Sequence, residues 1–186
     1  ATDRYVYVVG NGKIVRIDRK GNTDTLFDMK NTNEPYSYID GMKLTVYKNK
    51  IYYIYCHIIS DTDPITYKIY EMDMNGDNNK EVFEGEAYAD ISALQAYDSH
   101  LYFIENSGTE FSMIIRTDLN GKGARQIGKK RDYKNEYDMI NISDAGIVYT
   151  ADTYDSSGEL HVMDFSGKSD KKITDIVDDS KNSKII

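Results

Sequence analysis

An Asp-x-x-Gly tetrapeptide occurs four times along the chain, and each copy follows a short apolar segment rich in tyrosine. The copies are Asp18-Arg-Lys-Gly21, Asp73-Met-Asn-Gly76, Asp118-Leu-Asn-Gly121 and Asp164-Phe-Ser-Gly167. They recur with a period of about 45 residues, which is typical of repeated β-units that bury their apolar faces against one another. The repeat therefore predicts an all-β chain built from an array of small sheets.

Strand signals within each repeat predict a four-stranded antiparallel unit. Apolar and polar residues alternate in segments such as Lys13-Ile-Val-Arg-Ile-Asp18, as they do in half-buried strands, and turn residues separate these segments. The sequence predicts a β-propeller of about four four-stranded blades, with residues 1–186 as a single domain. We expect the repeats at residues 4–29, 42–84, 91–128 and 138–176.

The first repeat lacks the first strand of its unit, because the chain begins almost directly in the second strand. Residues 183–186 are a candidate for this missing strand, and they would then close the ring by completing the first blade. The alternative is that the chain is part of a larger propeller with further blades. An unpaired last strand would leave an open sheet edge, so pairing with another subunit through that edge is a third possibility.

We interpret Asp-x-x-Gly as a hairpin turn. Asp at the first position accepts backbone N–H bonds, and Gly adopts the left-handed conformation at the fourth position. A calcium loop is the alternative at Asp73-Met-Asn-Gly-Asp77, but this segment has no glutamate at the twelfth position and no flanking helices. Because Lys20 and Ser166 replace Asn75 in other copies, the sequence predicts neither a metal nor another cofactor.

Composition limits the classes of partner. Asp and Glu outnumber Lys and Arg by 31 to 23, and the net charge of −8 argues against nucleic acid, whose phosphates require cations. Cys56 is the single cysteine, so the sequence offers no intrachain disulfide and no cysteine-based zinc site. No stretch approaches the roughly 18 apolar residues of a membrane span, and we expect no direct membrane insertion of this chain.

The run Ile51-Tyr-Tyr-Ile-Tyr55, followed by Lys68-Ile-Tyr-Glu-Met-Asp-Met-Asn-Gly76, recurs as Leu101-Tyr-Phe-Ile104 and Ile115-Arg-Thr-Asp-Leu-Asn-Gly121. This pattern resembles a bacterial propeller family catalogued as a domain of unknown function. That family is related to the YWTD propellers of lipoprotein receptors and, more distantly, to TolB-like propellers, although the YWTD tetrapeptide is absent here. The resemblance implies a protein that is secreted or anchored at the cell surface, and it supplies no catalytic residues.

The loops before the first strand of each blade pair tyrosines with carboxylates. In a propeller these loops share one rim with the loops between the second and third strands. Tyrosine rings stack on sugars or cations and carboxylates bind hydroxyl or ammonium groups, whereas the alternative role of such tyrosines is to fill gaps between blades. The insert at residues 57–66 has no counterpart in the other repeats. The candidate ligand-binding residues are Tyr36, Tyr38, Asp40, His57, Asp61, Asp63, Tyr88, Asp90, Tyr137 and Asp138.

These features favour a non-catalytic, extracytoplasmic binding or scaffold module that recognises a protein or a glycan through its loop rim. No nucleophile elbow, phosphate loop or zinc-protease motif occurs, and we expect the three histidines on different blades. The alternative is a hydrolase of extracellular or cell-wall polysaccharide that uses paired rim carboxylates such as Asp40 and Asp90. A pocket in which a carboxyl group of raised pKa faces a second carboxyl group would favour the enzyme.

Overall fold

The structure, a computed structural model, describes residues 4–29, 37–38, 43–57, 65–87, 91–106, 111–132, 137–152 and 157–177. Only the backbone is described for residues 37–38, 56–57, 65–66, 86–87, 152, 157 and 177. The regular elements in these ranges are sixteen β-strands. None of the described residues forms a helix of the length and hydropathy needed to cross a membrane.

The strands form four antiparallel sheets in chain order, which we call blades 1 to 4. Blade 1 contains β1 (Tyr5–Gly10), β2 (Lys13–Asp18) and β3 (Thr23–Asp28). Blade 2 contains β4 (Ser37–Tyr38), β5 (Leu44–Tyr47), β6 (Lys50–His57), β7 (Ile65–Asp73) and β8 (Lys80–Ala87). Blade 3 contains β9 (Ile91–Tyr97), β10 (His100–Asn106), β11 (Ser112–Asp118) and β12 (Arg125–Arg131). Blade 4 contains β13 (Tyr137–Ser143), β14 (Gly146–Asp152), β15 (Ser157–Met163) and β16 (Asp170–Val177).

Every blade is an antiparallel sheet in which consecutive strands pair, apart from β4 and β5 of blade 2, and this confirms the predicted all-β repeat architecture. Among the described residues, blade 1 has three strands, which correspond to the second, third and fourth strands of blades 3 and 4. Blade 2 differs from its prediction, because two short strands share one edge of β6: Tyr38 pairs with Cys56, and Leu44 pairs with Tyr53. The candidate strand at residues 183–186 lies outside the described residues.

The core is divided into three apolar clusters, and each cluster lies between two successive blades. The second strand of a blade can contribute side chains to the clusters on both sides of its sheet, because successive side chains point to opposite faces. On β6, Ile51 and Tyr53 pack towards blade 1, whereas Tyr52 and Ile54 pack towards blade 3. Burial between the blades therefore holds the array together.

The first strands β5, β9 and β13 lie side by side, with β9 in contact with both of the others. Gln95 joins β9 to β13 with its side-chain amide. Its Nε2 donates to the carbonyl of Ile140 at 2.8 Å, and its Oε1 accepts the N–H of Ile142 at 3.0 Å. One side chain thus satisfies a backbone donor and a backbone acceptor of the next blade, as a neighbouring strand would.

The four Asp-x-x-Gly segments are turns in which the glycine N–H donates to the aspartate carbonyl and the glycine has a positive φ. In three turns the aspartate carboxylate also accepts backbone N–H groups, as at Asp118, where Asn120 and Lys122 donate at 2.9 and 2.8 Å. In blade 2 the Asp73 carboxylate instead binds the side chains of Lys50 and Asn78. These bonds confirm the hairpin interpretation.

Three of these glycines also fit against the last strand of the preceding blade. A Cβ atom on Gly121 would lie 1.9 Å from the carbonyl oxygen of Val82, and one on Gly167 would lie 2.1 Å from the backbone nitrogen of Gly128. Gly76 meets Leu26 in the same way. The turn therefore needs glycine for close contact between blades as well as for its backbone conformation.

Candidate functional site

Most of the predicted rim residues lie in segments outside the described part of the chain. This holds for Tyr36, Asp40, Asp61, Asp63, Tyr88 and Asp90. Tyr38 and His57 are described in their backbone only, where β4 pairs Ser37 with His57 and Tyr38 with Cys56. The two residues thus lie close together at one edge of blade 2, and a ligand site around them stays a prediction.

The remaining two predicted residues begin β13 and have different surroundings. Tyr137 is only 1% exposed, its hydroxyl donates to the Lys129 carbonyl at 2.8 Å, and its ring meets the Tyr149 ring edge to face. It fills the gap between blades 3 and 4, which is the alternative role considered for these tyrosines. Asp138 is exposed, and the Thr150 hydroxyl lies 3.4 Å from its carboxylate.

A cleft of about 510 Å³ lies between blades 3 and 4, next to their last strands. Four of its seven lining residues are basic, although the chain as a whole carries a net charge of −8. Blade 3 contributes residues 129–132, and blade 4 contributes residues from β15 and β16. The lining residues are Lys129, Lys130, Arg131, Asp132, His161, Asp170 and Lys172.

His161 stands between two carboxylates on the blade 4 side of the cleft. Its Nδ1 lies 3.1 Å from Asp170 Oδ1, and its Nε2 lies 3.0 Å from Glu159 Oε2. Because ionised carboxylates only accept hydrogen bonds, the ring can donate to both at once when it is protonated. The Lys172 ammonium also donates to Glu159, at 2.6 Å.

Tyr149 connects this histidine cluster to blade 3. Its hydroxyl donates to Asp170 Oδ2 at 2.7 Å and accepts from Arg131 at 2.8 Å, and its ring stacks on the His161 ring. The Arg131 guanidinium also lies over the rings of Tyr137 and Tyr149. Residues of both blades therefore fix one another by hydrogen bonds and ring contacts, and this forms a rigid wall for the cleft.

Two pKa shifts describe the electrostatics of this wall. The hydrogen bond from Lys172, together with the one from His161, lowers the pKa of Glu159 to about 2. Burial raises the pKa of Tyr149 above its ordinary value, and its hydrogen bond to the Asp170 carboxylate acts in the same direction. At neutral pH Glu159 is therefore ionised and Tyr149 keeps its proton, so this carboxylate is not available as a general acid.

The histidine cluster replaces a neutral arrangement that blade 2 has at the same position. There Tyr53 pairs with Tyr70, the two rings stack, and Asn79 Nδ2 donates to the Tyr53 hydroxyl at 2.8 Å. In blade 4, Tyr149 pairs with His161 and bonds to Asp170. Aligning the repeats on their Asp-x-x-Gly turns places His161 at the position held by Val15, Tyr70 and Ile115 in the other blades. A histidine at a position that is otherwise apolar or aromatic is the sequence signal that could have found the cluster.

A carboxyl group of raised pKa occurs in blade 3, outside this cleft. Burial raises the pKa of Glu105, while the hydrogen bond from the Tyr67 hydroxyl at 3.0 Å and the charge of Lys130 act against that shift. Glu105 lies near the end of β10 that leads into residues 107–110, which are not described. No three His, Cys, Asp or Glu side chains within the described ranges are arranged to hold a metal ion.

No protein-family model and no curated protein matches the chain. Among solved structures, it is similar to a thermostable family-43 glycoside hydrolase, with a TM-score of 0.58 and 11% identity over 94% of this chain and 70% of that one. A prolyl endopeptidase gives a TM-score of 0.57 and 10% identity over 89% of this chain. The fold is a β-propeller.

A third similar structure is a cobalt-substituted apocarotenoid oxygenase from Synechocystis, with a TM-score of 0.53 and 10% identity over 92% of this chain. The chain spans only 23% of the prolyl endopeptidase and 46% of the oxygenase. At such identities the likeness shows the fold alone, because propellers support many unrelated activities through their loops and clefts.

Proposed function

We propose that this propeller is a non-catalytic binding module, and that the cleft between blades 3 and 4 holds an acidic group of an extracellular glycan. The observation that carries the proposal is the basic lining of this cleft in an acidic protein. Local positive charge attracts an anionic ligand even when the net charge of the whole molecule is negative. The sequence resemblance to secreted propellers supports a location outside the cytoplasm.

The lining also suits the neutral part of a sugar. Hydroxyl groups need both donors and acceptors, and the cleft offers ammonium and guanidinium donors beside the carboxylates of Asp132 and Asp170. Lys130 lies over the Phe111 ring, with its Nζ 3.5 Å from the ring centre. A carboxylated or sulfated sugar matches this mixture better than a neutral one does.

Catalysis in this cleft finds less support. The Glu159 carboxylate next to it is held ionised by Lys172 and His161, and Asp170 accepts one hydrogen bond from the Tyr149 hydroxyl and contacts the His161 ring. A glycosidase pair needs one protonated carboxyl group at working pH. The hydrogen bonds around Glu159 and Asp170 keep both side chains in fixed positions, which suits binding.

The experiment is a titration of the protein with polyuronic acid and with a neutral polysaccharide of similar length, followed by isothermal calorimetry. We expect binding of the acidic polymer that weakens as salt is raised, because screening acts on exposed charges. The double variant Lys129→Gln/Lys130→Gln should bind at least about tenfold more weakly. Lys122→Gln, on an exposed turn of blade 3, is the matched control and should bind normally. Equal binding of both polymers, or no effect of the double variant, would contradict the proposal.

A second candidate is the hydrolysis of an extracellular polysaccharide, which Glu105 favours. Its carboxyl group is partly buried and its pKa is raised, which is the direction that favours a general acid, and the fold is shared with a family-43 glycoside hydrolase. Release of reducing ends from the acidic or the neutral polymer, abolished by Glu105→Gln, would support the enzyme. Binding of a polymer without release of reducing ends would support the binding module instead.

A further inference from the structure

Two valines of β1 are exposed, although the residues at the equivalent positions of the other three blades are buried. Val6 is 51% exposed and Val8 is 44% exposed. Aligned on the strand pairing, their counterparts face the preceding blade and are at most 1% exposed. These counterparts are Ile51 and Tyr53, Leu101 and Phe103, and Ile147 and Tyr149.

The turn of blade 1 is open on the same side. Gly21 has a φ of +85°, like the other turn glycines, yet a Cβ placed on it would meet nothing within 4 Å. The glycines of the other three turns each contact the last strand of the preceding blade. Next to Gly21 is a cleft of about 410 Å³ lined by Arg4, Tyr5, Asp18, Arg19 and Lys20. Within the described ranges, blade 1 thus presents an exposed surface of the kind that packs against a preceding blade elsewhere in the chain.

Blade 4 carries the complementary half of this contact. The strands β3, β8 and β16 each contain a bulge at an equivalent position. On the partner strand, the bulge lies opposite the fourth and third residues before the repeat aspartate. The residues that the bulges leave unpaired are Leu26, Val82 and Ile173. Leu26 and Val82 are partly buried under the turn glycine of the next blade. Ile173 is 53% exposed.

We propose that the Ile173 face of one copy of this chain stacks on the Val6, Val8 and Gly21 face of a second copy. A second copy is the occupant that the structure favours, because the same chain presents both halves of a contact that it already makes three times internally. The association is head to tail, so it either closes or continues as a series. Two copies in a closed ring would give eight blades, which is within the usual range of about four to eight.

The test is the mass of the protein in solution over a range of concentrations, by light scattering and analytical ultracentrifugation. We expect a species of twice the monomer mass of 21.3 kDa, or a head-to-tail series that grows with concentration. Val8→Asp and Ile173→Asp should each raise the dissociation constant at least about tenfold, because either one buries a charge in the contact. Gln126→Asp, at an exposed position of β12, is the control and should leave the mass unchanged.

Both aspartate variants change residues that are exposed in the monomer, so they should keep the far-ultraviolet circular dichroism of the wild type. Val8→Ile and Ile173→Val keep an apolar contact and should still associate. A monomer at every concentration overturns the proposal.

Orientation is tested by cross-linking in a Cys56→Ser background. Val8→Cys and Ile173→Cys proteins, mixed with a short bifunctional maleimide, should give a product that contains one chain of each kind. Cross-linked Val8→Cys alone would show a head-to-head contact and overturn the proposal. A chain with both cysteines that cross-links internally at monomer mass would show that its own blade 4 covers blade 1, which also overturns it.

Discussion

Tyr149 and His161 stack with their ring centres 5.0 Å apart and their planes 16° apart, at the position where blade 2 stacks Tyr53 on Tyr70. The backbone register and the ring contact are kept, while the chemistry at the hydroxyl changes from an amide to a carboxylate. A repeat can therefore replace a set of Tyr, Tyr and Asn side chains by Tyr, His and Asp without a change in the strand pairing of the blade.

Replacing His161 and Asp170 of blade 4 by the tyrosine and asparagine that blade 2 has at these positions should be tolerated. Asp170→Asn and His161→Tyr should each lower the free energy of unfolding by about 1–3 kcal/mol, because each leaves buried polar partners unmatched. The double variant should lose less than the sum of the two, since Tyr53, Tyr70 and Asn79 show that this combination packs. Urea unfolding of all four proteins measures the coupling, and strictly additive losses would contradict the expected exchange.

Glu159 should make stability depend on pH in the acid range. Its folded pKa of about 2 lies below its ordinary value of 4.5, so its contribution is complete above about pH 4.5 and is lost as the pH falls towards 2. Glu159→Gln should therefore flatten this part of the stability curve. Chemical unfolding of both proteins between pH 2 and 6 checks it. Parallel curves would show that the ion pair with Lys172 is not maintained in solution.

Gly121 should tolerate alanine far less well than Gly21. Gly121→Ala places a methyl group against the carbonyl of Val82, and we expect a loss of about 3 kcal/mol in the free energy of unfolding. Gly21→Ala should cost only about 1 kcal/mol, because its positive φ is the sole obstacle. Thermal and urea unfolding at a concentration where the chain is monomeric compares the two, and equal losses would speak against the inter-blade role of the turn.

Gln95 should stabilise the protein through its two hydrogen bonds to β13 of the next blade. Gln95→Ala removes both hydrogen bonds to β13 and should cost about 1–3 kcal/mol. Gln126→Ala, which removes one bond from an exposed side chain to the Gly128 carbonyl, should cost less than about 0.5 kcal/mol. If hydrogen exchange at Ile142 is unchanged in Gln95→Ala, the bond to its N–H does not form in solution.

Local patterns were sufficient to predict most of the fold. Alternation along segments such as Lys13–Asp18, together with the recurring glycine turns, fixes strands and hairpins, because both are set by neighbours in sequence. The divided edge of blade 2 was not predicted. The pairing of both β4 and β5 with β6 is a contact between strands, and no local period encodes that.

The cleft was not predicted, because its parts come from different blades. In the sequence, His161 is a single histidine within a strand segment, and the basic run of Lys129, Lys130 and Arg131 lies about 30 residues before it with no motif that links the two. Their proximity results from the stacking of blade 4 on blade 3 and from the bulge beside His161, which are tertiary features. Only a comparison of equivalent positions between repeats marks His161 as unusual.

The division of the core into three clusters, each shared by two successive blades, also governs how the molecule should come apart. Coupling between nearest neighbours makes the array resemble a one-dimensional chain of cooperative units, in which the ends open before the middle. Blade 1 shares a single cluster with the rest of the described structure and has three described strands. Heating should therefore release β1–β3 first, and a partner that covers Val6 and Val8 would remove this weakest point.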